Sequence, residues 1–151
     1  MEIIEREPDS TDALVLMNEL SSILEGITGD SGRNSFNSED VRRPRSLFVI
    51  AYIQGEAVGC GAIRPIDKNT AEVKRMYAKL KRKGIGSKIL DYLENEAHKM
   101  GYKKLILETR QINQKAVQFY KSKSYLRIHN YGKYIGCSEA VCFEKSLNDW
   151  H

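Results

Sequence analysis

The chain has 151 residues, of which 41% are hydrophobic and 29% charged, and its formal net charge is +4. This length favours one domain, and the composition is typical of a globular protein and excludes a disordered chain. No apolar run is long enough to cross a bilayer and no basic-then-apolar leader opens the chain, so we expect a cytoplasmic protein with no membrane partner. The three cysteines, Cys60, Cys137 and Cys142, have no CxxC spacing and are expected to be free thiols.

The first half of the chain predicts one strand, one helix and three further strands. Residues 2–7 have a short apolar centre and stop before Pro8, which favours a strand. Residues 9–26 repeat apolar side chains at helical spacing, with Ser10 or Thr11 as the N-cap and Gly26 at the end. The polar segment 27–45 is predicted as a long loop. An antiparallel meander is then predicted over 47–53, 57–65 and 71–78.

The second half predicts two helices that alternate with strands. Apolar residues recur on one stripe from Ile85 to Met100 and Gly101 follows them, which predicts a helix. Residues 103–110 predict a buried strand, and residues 113–123 predict a helix capped by Asn113. Two last strands are predicted at 125–128 and 140–147. The resulting order, β-α-β-β-β-α-β-α-β-β, indicates one α/β domain with a mixed sheet.

Two glycines, Gly84 and Gly86, stand directly before the second helix and behind a cluster of basic residues. Glycine lets the backbone approach a ligand closely, and a helix N-terminus offers free N–H groups and the positive end of its dipole. The turn therefore predicts an anion site, and phosphate is the usual anion. A dinucleotide-binding fingerprint is excluded because Ile89 stands at its third glycine, and a P-loop is excluded by its spacing. By itself the pattern also fits a plain strand-to-helix turn.

Two motifs together resemble the GNAT superfamily of acetyl-CoA-dependent N-acetyltransferases. Residues 72–90, EVKRMYAKLKRKGIGSKIL, are similar to its strand, its Arg/Gln-x-x-Gly-x-Gly/Ala loop and the following helix, with Lys81 at the first loop position. Residues 113–128, NQKAVQFYKSKSYLRI, resemble its Asn-x-x-Ala-x-x-x-Tyr helix through Asn113, Ala116 and Tyr120, although Ser124-Tyr125 replaces the common Gly-Phe. The resemblance covers nearly the whole chain. It implies a single N-acetyltransferase domain over 1–151, with a mixed, mostly antiparallel central sheet flanked by helices.

The resemblance implies acetyl-CoA as the cosubstrate. It places the pantetheine arm along the strand at 76–78, with a main-chain N–H near Met76 on the thioester oxygen. It places the pyrophosphate on the amides of the glycine loop, and Asn113 is expected to be both a helix cap and a cofactor contact. The expected cofactor-binding residues are Met76, Tyr77, Ala78, Lys81, Arg82, Lys83, Gly84, Ile85, Gly86, Ser87 and Asn113.

Acetyl transfer to an amine needs a held thioester, a neutral amine, a stabilised oxyanion and a proton for the departing thiolate. The resemblance implies Tyr120 as the general acid, because a phenol with a pKa of about 10 is protonated at neutral pH. Glu72 is our candidate general base, since strand alternation puts Glu72, Lys74 and Met76 on one face unless a bulge intervenes. Two alternatives stay open: Glu72 as a surface carboxylate paired with a neighbouring cation, and Glu108 as the base.

The acceptor is expected to be a small molecule or peptide that carries a primary amine. Arg64, at the end of a predicted strand, could hold an acceptor carboxylate through a bidentate pair. Asp30 and Ser31, in the long loop, could face the same region. These residues predict a small, amino acid-like acceptor, and they fit equally a surface arginine and a surface loop. The acceptor and the length of the acyl chain are not specified by the sequence.

Other classes of function are disfavoured by the same residues. The three histidines have no paired spacing, so no metal is expected. Nucleic-acid binding is not expected, because coenzyme A phosphates account for the basic cluster and the net charge is small. An inactive acyl-CoA-binding module is the alternative to an enzyme, and it would not need both Tyr120 and Glu72. A homodimer is the default expectation for the oligomeric state.

Overall fold

The computed structural model describes residues 1–33, 36–80 and 83–147. Its strands and helices follow the predicted order. They are β1 (Glu2–Glu5), α1 (Thr11–Thr28), β2 (Leu47–Ile53), β3 (Glu56–Pro65), β4 (Thr70–Ala78), α2 (Ile85–Lys99), β5 (Lys104–Arg110), α3 (Gln114–Ser122), β6 (Leu126–Ile128) and β7 (Ala140–Ser146). Short 3-10 helices lie outside them at Ser38–Val41, in the predicted long loop, and at Gly132–Tyr134, before β7.

The strands form one mixed sheet in the order β1-β2-β3-β4-β5-β7-β6. Strands β4 and β5 are parallel, and the other neighbouring pairs of the described sheet are antiparallel. The parallel pair follows from the crossover helix α2, because parallel neighbours cannot be joined by a tight turn. The expected fold, a mixed and mostly antiparallel sheet flanked by helices, is confirmed.

The ends of α1 show how local capping sets the helix length. Ser10 is the N-cap, and its hydroxyl accepts a hydrogen bond from the amide of Ala13, as expected. The predicted end at Gly26 is wrong, because α1 continues to Thr28. Gly29 closes it in the left-handed conformation, at φ +81°, and its N–H donates to the carbonyl of Glu25.

Each face of the sheet has its own apolar core. Helix α1 packs through Ala13 and Leu16 on one face, against a group that contains Phe48, Ile50 and Ala62. Helix α2 and the aromatic residues that follow it cover the other face, and the largest buried group of the described chain lies there. Its α2 members are Ile85, Ile89, Leu90, Leu93 and Ala97.

Helix α2 packs directly against the backbone of β3 at two glycines, which place no side chain between the two elements. A Cβ added at Gly59 would lie 2.8 Å from Cγ2 of Ile85, and one added at Gly61 would lie 2.8 Å from Cγ2 of Ile89. Such distances are shorter than real Cβ contacts, so a larger residue at either position would push α2 away. These glycines therefore hold the N-terminus of α2 beside the centre of the sheet.

Candidate active site

The start of α2 has no side-chain cap, so its first backbone N–H groups are available to a ligand. Gly84 is the N-cap, in the left-handed conformation at φ +68°, and it supplies no side-chain cap. The first α2 bond runs from the amide of Lys88 to the carbonyl of Gly84, so the amides of Ile85, Gly86 and Ser87 precede it. The first turn of α2 holds no acidic residue. A diphosphate fits these uncapped amides and the positive end of the helix dipole.

The same turn adjoins the strand predicted to hold the pantetheine arm. A Cβ built on Gly86 would lie 3.9 Å from Cβ of Ala78 and 3.6 Å from the ring of Phe119, which are ordinary contact distances. The end of β4, the start of α2 and helix α3 therefore meet there. The side chain of Tyr77 turns away to α1, where its hydroxyl donates to Glu19 over 2.9 Å and burial raises its pKa to about 12. Only its backbone is then available to a ligand along β4.

Lys123, at the end of α3, also reaches the start of α2. Its Nζ lies 2.7 Å from Oγ of Ser87 and 2.8 Å from a carboxylate oxygen of Asp91. Sequence reasoning missed this lysine, because it lies after the last position of the Asn-x-x-Ala-x-x-x-Tyr motif and at the end of α3, whereas the glycine turn precedes α2. Lys83 is exposed beside Gly84. The other two basic residues expected at the phosphates, Lys81 and Arg82, lie outside the described residues.

A cleft of about 370 Å³ opens where β4 and β5 separate. The two strands pair only from Thr70 to Glu72 on β4 and from Lys104 to Ile106 on β5. Beyond that, residues of both strands line the cleft instead of pairing. The lining includes Lys74, Arg75 and Met76 from β4, Glu108 and Arg110 from β5, Asn113 and Tyr120 from the α3 region, Asp30 from the loop after α1, and Lys133 and Tyr134.

A β-bulge at the cleft changes which side chains of β4 share a face. Cys60 pairs with Tyr77 and Ala62 with Lys74, so Gly61 alone lies opposite Arg75 and Met76. Arg75 has a positive φ of 55°. Met76 therefore packs toward the α2 side, whereas Glu72 and Lys74 face the other side. Glu72, Lys74 and Met76 were expected on one face unless a bulge intervened, and this bulge is that exception, because it inverts the alternation before Met76.

The two candidate bases occupy different environments. Glu72 is fully buried and accepts a hydrogen bond from Nε of Arg64 at 2.6 Å and another from the hydroxyl of Tyr131. It does not line the cleft, and it is no surface carboxylate paired with Lys74. Both of its oxygens therefore have hydrogen-bond partners inside the protein, which is the environment of a structural residue.

Glu108, in contrast, lines the cleft with its carboxylate only partly satisfied. Its Oε2 is buried and has no hydrogen-bond partner among the described residues, and the nearest cation, Nε of Arg110, is 3.7 Å away. Burial raises the pKa of Glu108, and the charges of Lys74 and Arg110 oppose this shift only in part. A carboxylate that binds a proton more readily than usual, beside an open cleft, fits a general base.

Tyr120 and Asn113 both line the cleft. Tyr120 lines the cleft, packs edge-on against Tyr125 at a centroid distance of 5.7 Å, and has its pKa raised by burial. It is therefore protonated at neutral pH and can act as a proton donor. Asn113 caps α3, with its side-chain oxygen accepting from the amide of Ala116. Its cap role is confirmed, and its cofactor contact stays a prediction.

A lysine and a tyrosine form a second polar pair in the cleft. Nζ of Lys74 lies 3.1 Å from the hydroxyl of Tyr134, and burial lowers the pKa of Lys74. Burial also raises the pKa of Tyr134, with the charges of Glu72 and Glu108 acting in the same direction. Tyr134 and Lys133 come from the short 3-10 helix before β7. The sequence assigned no element to residues 129–139, so neither residue was foreseen.

The residues expected at the acceptor are only partly brought together. Asp30 lines the cleft. Ser31 does not, and its hydroxyl accepts a hydrogen bond from the amide of Arg33. Arg64 pairs with Asp40 at 2.9 Å as well as with Glu72, and it does not line the cleft. Its role as an acceptor ligand stays a prediction that the position of its guanidinium does not support.

The described residues contain no group of three or more histidine, cysteine, aspartate or glutamate side chains arranged for a metal ion. The cysteines are free, as expected, and Cys60 and Cys142 are buried. Among the helices of the described chain, none has the length and apolarity that a membrane span requires.

Comparisons with known proteins agree with this geometry. The chain is 30% identical over 148 residues to an IAA acetyltransferase of Azospirillum brasilense, which spans 95% of this chain and 97% of the relative. The fold of the present chain matches that of the PaiA N-acetyltransferase of Thermoplasma acidophilum, which was solved in complex with coenzyme A. The TM-score is 0.74, the sequence identity is 20%, and the match covers 97% of this chain and 99% of the other. The fold also matches an aminoglycoside 6'-N-acetyltransferase of Enterococcus faecium, with a TM-score of 0.64, 17% identity and coverage of 97% of each chain.

The sequence profile of the acetyltransferase (GNAT) family matches residues 15–124, which include the cleft strands β4 and β5, the turn before α2 and helix α3. The resemblance carried by the two motifs is thereby confirmed, and the chain belongs to the GNAT family of acetyltransferases, which are acyltransferase enzymes.

Proposed function

We propose that this protein transfers an acetyl group from acetyl-CoA to the primary amine of a small acceptor, by direct attack of the amine on the thioester. One observation carries the proposal. The cleft between β4 and β5 is lined both by Met76, Asn113 and Tyr120, on the expected cofactor side, and by the partly satisfied carboxylate of Glu108. A cofactor arm and a proton acceptor thus share one cavity.

Coenzyme A fits the residues present. The uncapped amides of Ile85, Gly86 and Ser87 would hold the diphosphate, and Lys123 beside them would add a positive charge. The backbone of β4 from Met76 to Ala78 would run beside the pantetheine arm. The complex of the Thermoplasma acidophilum relative with coenzyme A supports the same ligand here.

Acetyl-CoA supplies an activated thioester, and the residues of this chain supply the rest of the chemistry. Glu108 takes a proton from the acceptor ammonium, directly or through a water molecule. The neutral amine nitrogen then forms the new C–N bond as the C–S bond breaks. A main-chain N–H near Met76 stabilises the negative charge that develops on the carbonyl oxygen. Tyr120 donates its proton to the departing thiolate and recovers one, by way of solvent, from the nitrogen that has become an amide.

Glu108 takes the base role in this proposal in place of Glu72. A base must reach the proton that it removes, and only Glu108 of the two lines the cleft. Both carboxylate oxygens of Glu72 are already occupied, one by the Nε–H of Arg64 and the other by the hydroxyl of Tyr131. Its replacement would then act through the fold and not through the chemistry.

Two measurements test the proposal. Calorimetry with coenzyme A and with pantetheine should show that the diphosphate contributes much of the affinity. Thiol release from acetyl-CoA should then depend on added amine, in a screen that spans amino acids, polyamines, aminoglycosides and peptides. The proposal would be overturned if coenzyme A bound but added amine caused no thiol release, and if neither Glu108→Gln nor Tyr120→Phe changed the basal rate of thiol release. The protein would then be an inactive binding module.

A further inference from the structure

We infer that the cleft between β4 and β5 selects amines that also carry a carboxylate, and that Arg75, Arg110 and Lys133 form the site for that carboxylate. The inference rests on the proposed function, because it assigns the acceptor class of the same cleft. It differs from the expectation for Arg64, which lies outside the cleft and is paired with two carboxylates.

The charge of the cleft is the first argument. Among the described residues, its lining contains four cationic side chains, Lys74, Arg75, Arg110 and Lys133, and two carboxylates, Asp30 and Glu108. Even when Lys74 is left out, the cations outnumber the carboxylates. A cavity with an excess of one sign of charge attracts ligands of the opposite sign and repels like charge. An acceptor with an anionic group therefore fits better than a polycation.

Arg75 is the second argument, because its charge is buried without an acidic partner. It is only 9% exposed. Its guanidinium donates to neutral oxygens, the hydroxyl of Ser21 at 2.6 Å and the carbonyl of Met17 at 3.1 Å. Its Nε is buried with no hydrogen-bond partner, and Arg75 forms no ion pair with any carboxylate of the described residues. Burying an uncompensated charge is unfavourable, and a ligand carboxylate would supply the missing counterion.

Arg110 and Lys133 retain binding capacity at the same cleft. Arg110 lies 3.6 Å from Asp30, 3.7 Å from Glu108 and 3.6 Å from Glu139, so these ion pairs are longer than hydrogen bonds. Its Nη1 also donates a hydrogen bond to Sγ of Cys137, a weak acceptor, over 3.7 Å. Its planar guanidinium can still make the two parallel bonds that a carboxylate accepts. Lys133 is exposed and has no ion-pair partner in the part of the chain that the structure describes. The three cations come from β4, β5 and the 3-10 helix, and they converge only in the fold.

The inference separates this chain from the aminoglycoside acetyltransferases that share its fold. Aminoglycosides carry several ammonium groups, and a site for them needs an excess of carboxylates. The fold likeness alone does not transfer the acceptor. The lining of the cleft favours a small molecule with one amine and one carboxylate instead.

The first test compares amino acids with their carboxamides as acceptors, because each pair differs only in the anionic group. The kcat/KM, corrected for the fraction of free amine, should favour the amino acid by about 10-fold or more. Arg110→Gln and Lys133→Gln should each reduce this preference by about 3- to 10-fold, mainly through KM of the amino acid. Lys68→Gln, which removes an exposed lysine outside the cleft, is the matched control and should leave the preference unchanged.

A second test does not depend on catalysis. In the presence of coenzyme A, titration calorimetry should show that N-acetyl amino acids bind more tightly than their carboxamides, and Arg110→Gln should weaken only the former. The inference would be overturned if the N-acetyl amino acids and their carboxamides bound equally tightly, or if Arg110→Gln lowered both affinities by the same factor. A polycationic aminoglycoside as the best acceptor would overturn it too. Carboxylate-selective product binding without amine-dependent thiol release would support the acceptor site and refute the proposed enzyme. Thiol release without any carboxylate preference would refute the acceptor site alone.

Discussion

Replacing Glu72 and Glu108, one at a time, by glutamine should separate a structural role from a catalytic one. Glu72 and Glu108 lie on neighbouring strands, but Glu72 has its partners inside the protein and Glu108 faces the cleft. Glutamine keeps the size of the side chain and removes its charge and its basicity. We therefore expect Glu72→Gln to lower stability and Glu108→Gln to lower turnover.

The loss of stability in Glu72→Gln follows from its contacts. The variant loses the charged hydrogen bond from Arg64, 2.6 Å long, at a fully buried position. Removing such a bond costs about 1.5 to 3 kcal/mol, and Arg64 keeps Asp40 as a partner, which prevents a larger loss. For a domain of this size, 1 kcal/mol shifts Tm by roughly 2 to 4 °C, so Tm should fall by roughly 3 to 12 °C.

The loss of turnover in Glu108→Gln follows from the role of the base. At neutral pH the acceptor amine is an ammonium, and a positioned base contributes on the order of 100-fold or more to the rate. The wild-type kcat/KM should fall as pH drops through the pKa of Glu108, which burial raises above the ordinary carboxyl value. The variant should lack that limb and should recover as pH approaches the pKa of the amine, about 10 for an alkylamine.

Urea denaturation and pH–rate profiles of both variants, with saturating acetyl-CoA, would measure the two effects on the same preparations. The stability of Glu108→Gln should be unchanged or slightly higher, because the variant removes a charge whose Oε2 is buried with no hydrogen-bond partner among the described residues. The assignment from cleft geometry would be refuted if Glu72→Gln kept its stability but lost the acidic limb of the pH–rate profile, while Glu108→Gln kept that limb.

Three further changes probe the acid and the cofactor turn. Tyr120→Phe should lower kcat by roughly 100-fold and keep the affinity for coenzyme A; unchanged turnover would exclude Tyr120 as the thiolate's proton donor. Gly84→Ala should lower the free energy of unfolding by about 1 to 2 kcal/mol, because φ there is +68°, and it should also weaken coenzyme A binding. Gly26→Ala, inside α1, should instead raise the free energy of unfolding by about 0.5 to 1 kcal/mol. Lys123→Gln should raise the Kd for coenzyme A by about 3- to 10-fold at low salt, compared with Lys121→Gln on the same helix; equal Kd values would remove Lys123 from the phosphate site.

The order of elements and the glycine turn before α2 were determined by the sequence alone, because their signals are local. Helical spacing, the Ser10 and Asn113 caps and the Gly84 turn act within a few residues, and each lies in the structure where it was expected. The end of α1 was misplaced because Gly26 and Gly29 are both glycines near a helix end. Only the backbone conformation shows that Gly29 is the left-handed residue.

The choice of Glu108 over Glu72 as the proposed base, and the set of residues that line the cleft, depend on the tertiary structure. The bulge at Arg75 reverses the alternation of β4, and no property of residues 71–78 alone announces it, since it arises from the pairing with Gly61 on β3. Arg64 is held by Asp40 and Glu72, which lie 24 and 8 residues away in the chain. Lys133 and Tyr134 reach the cleft from a segment without periodicity. Contacts between distant residues set these positions, and local patterns carry no information about which distant residues will meet.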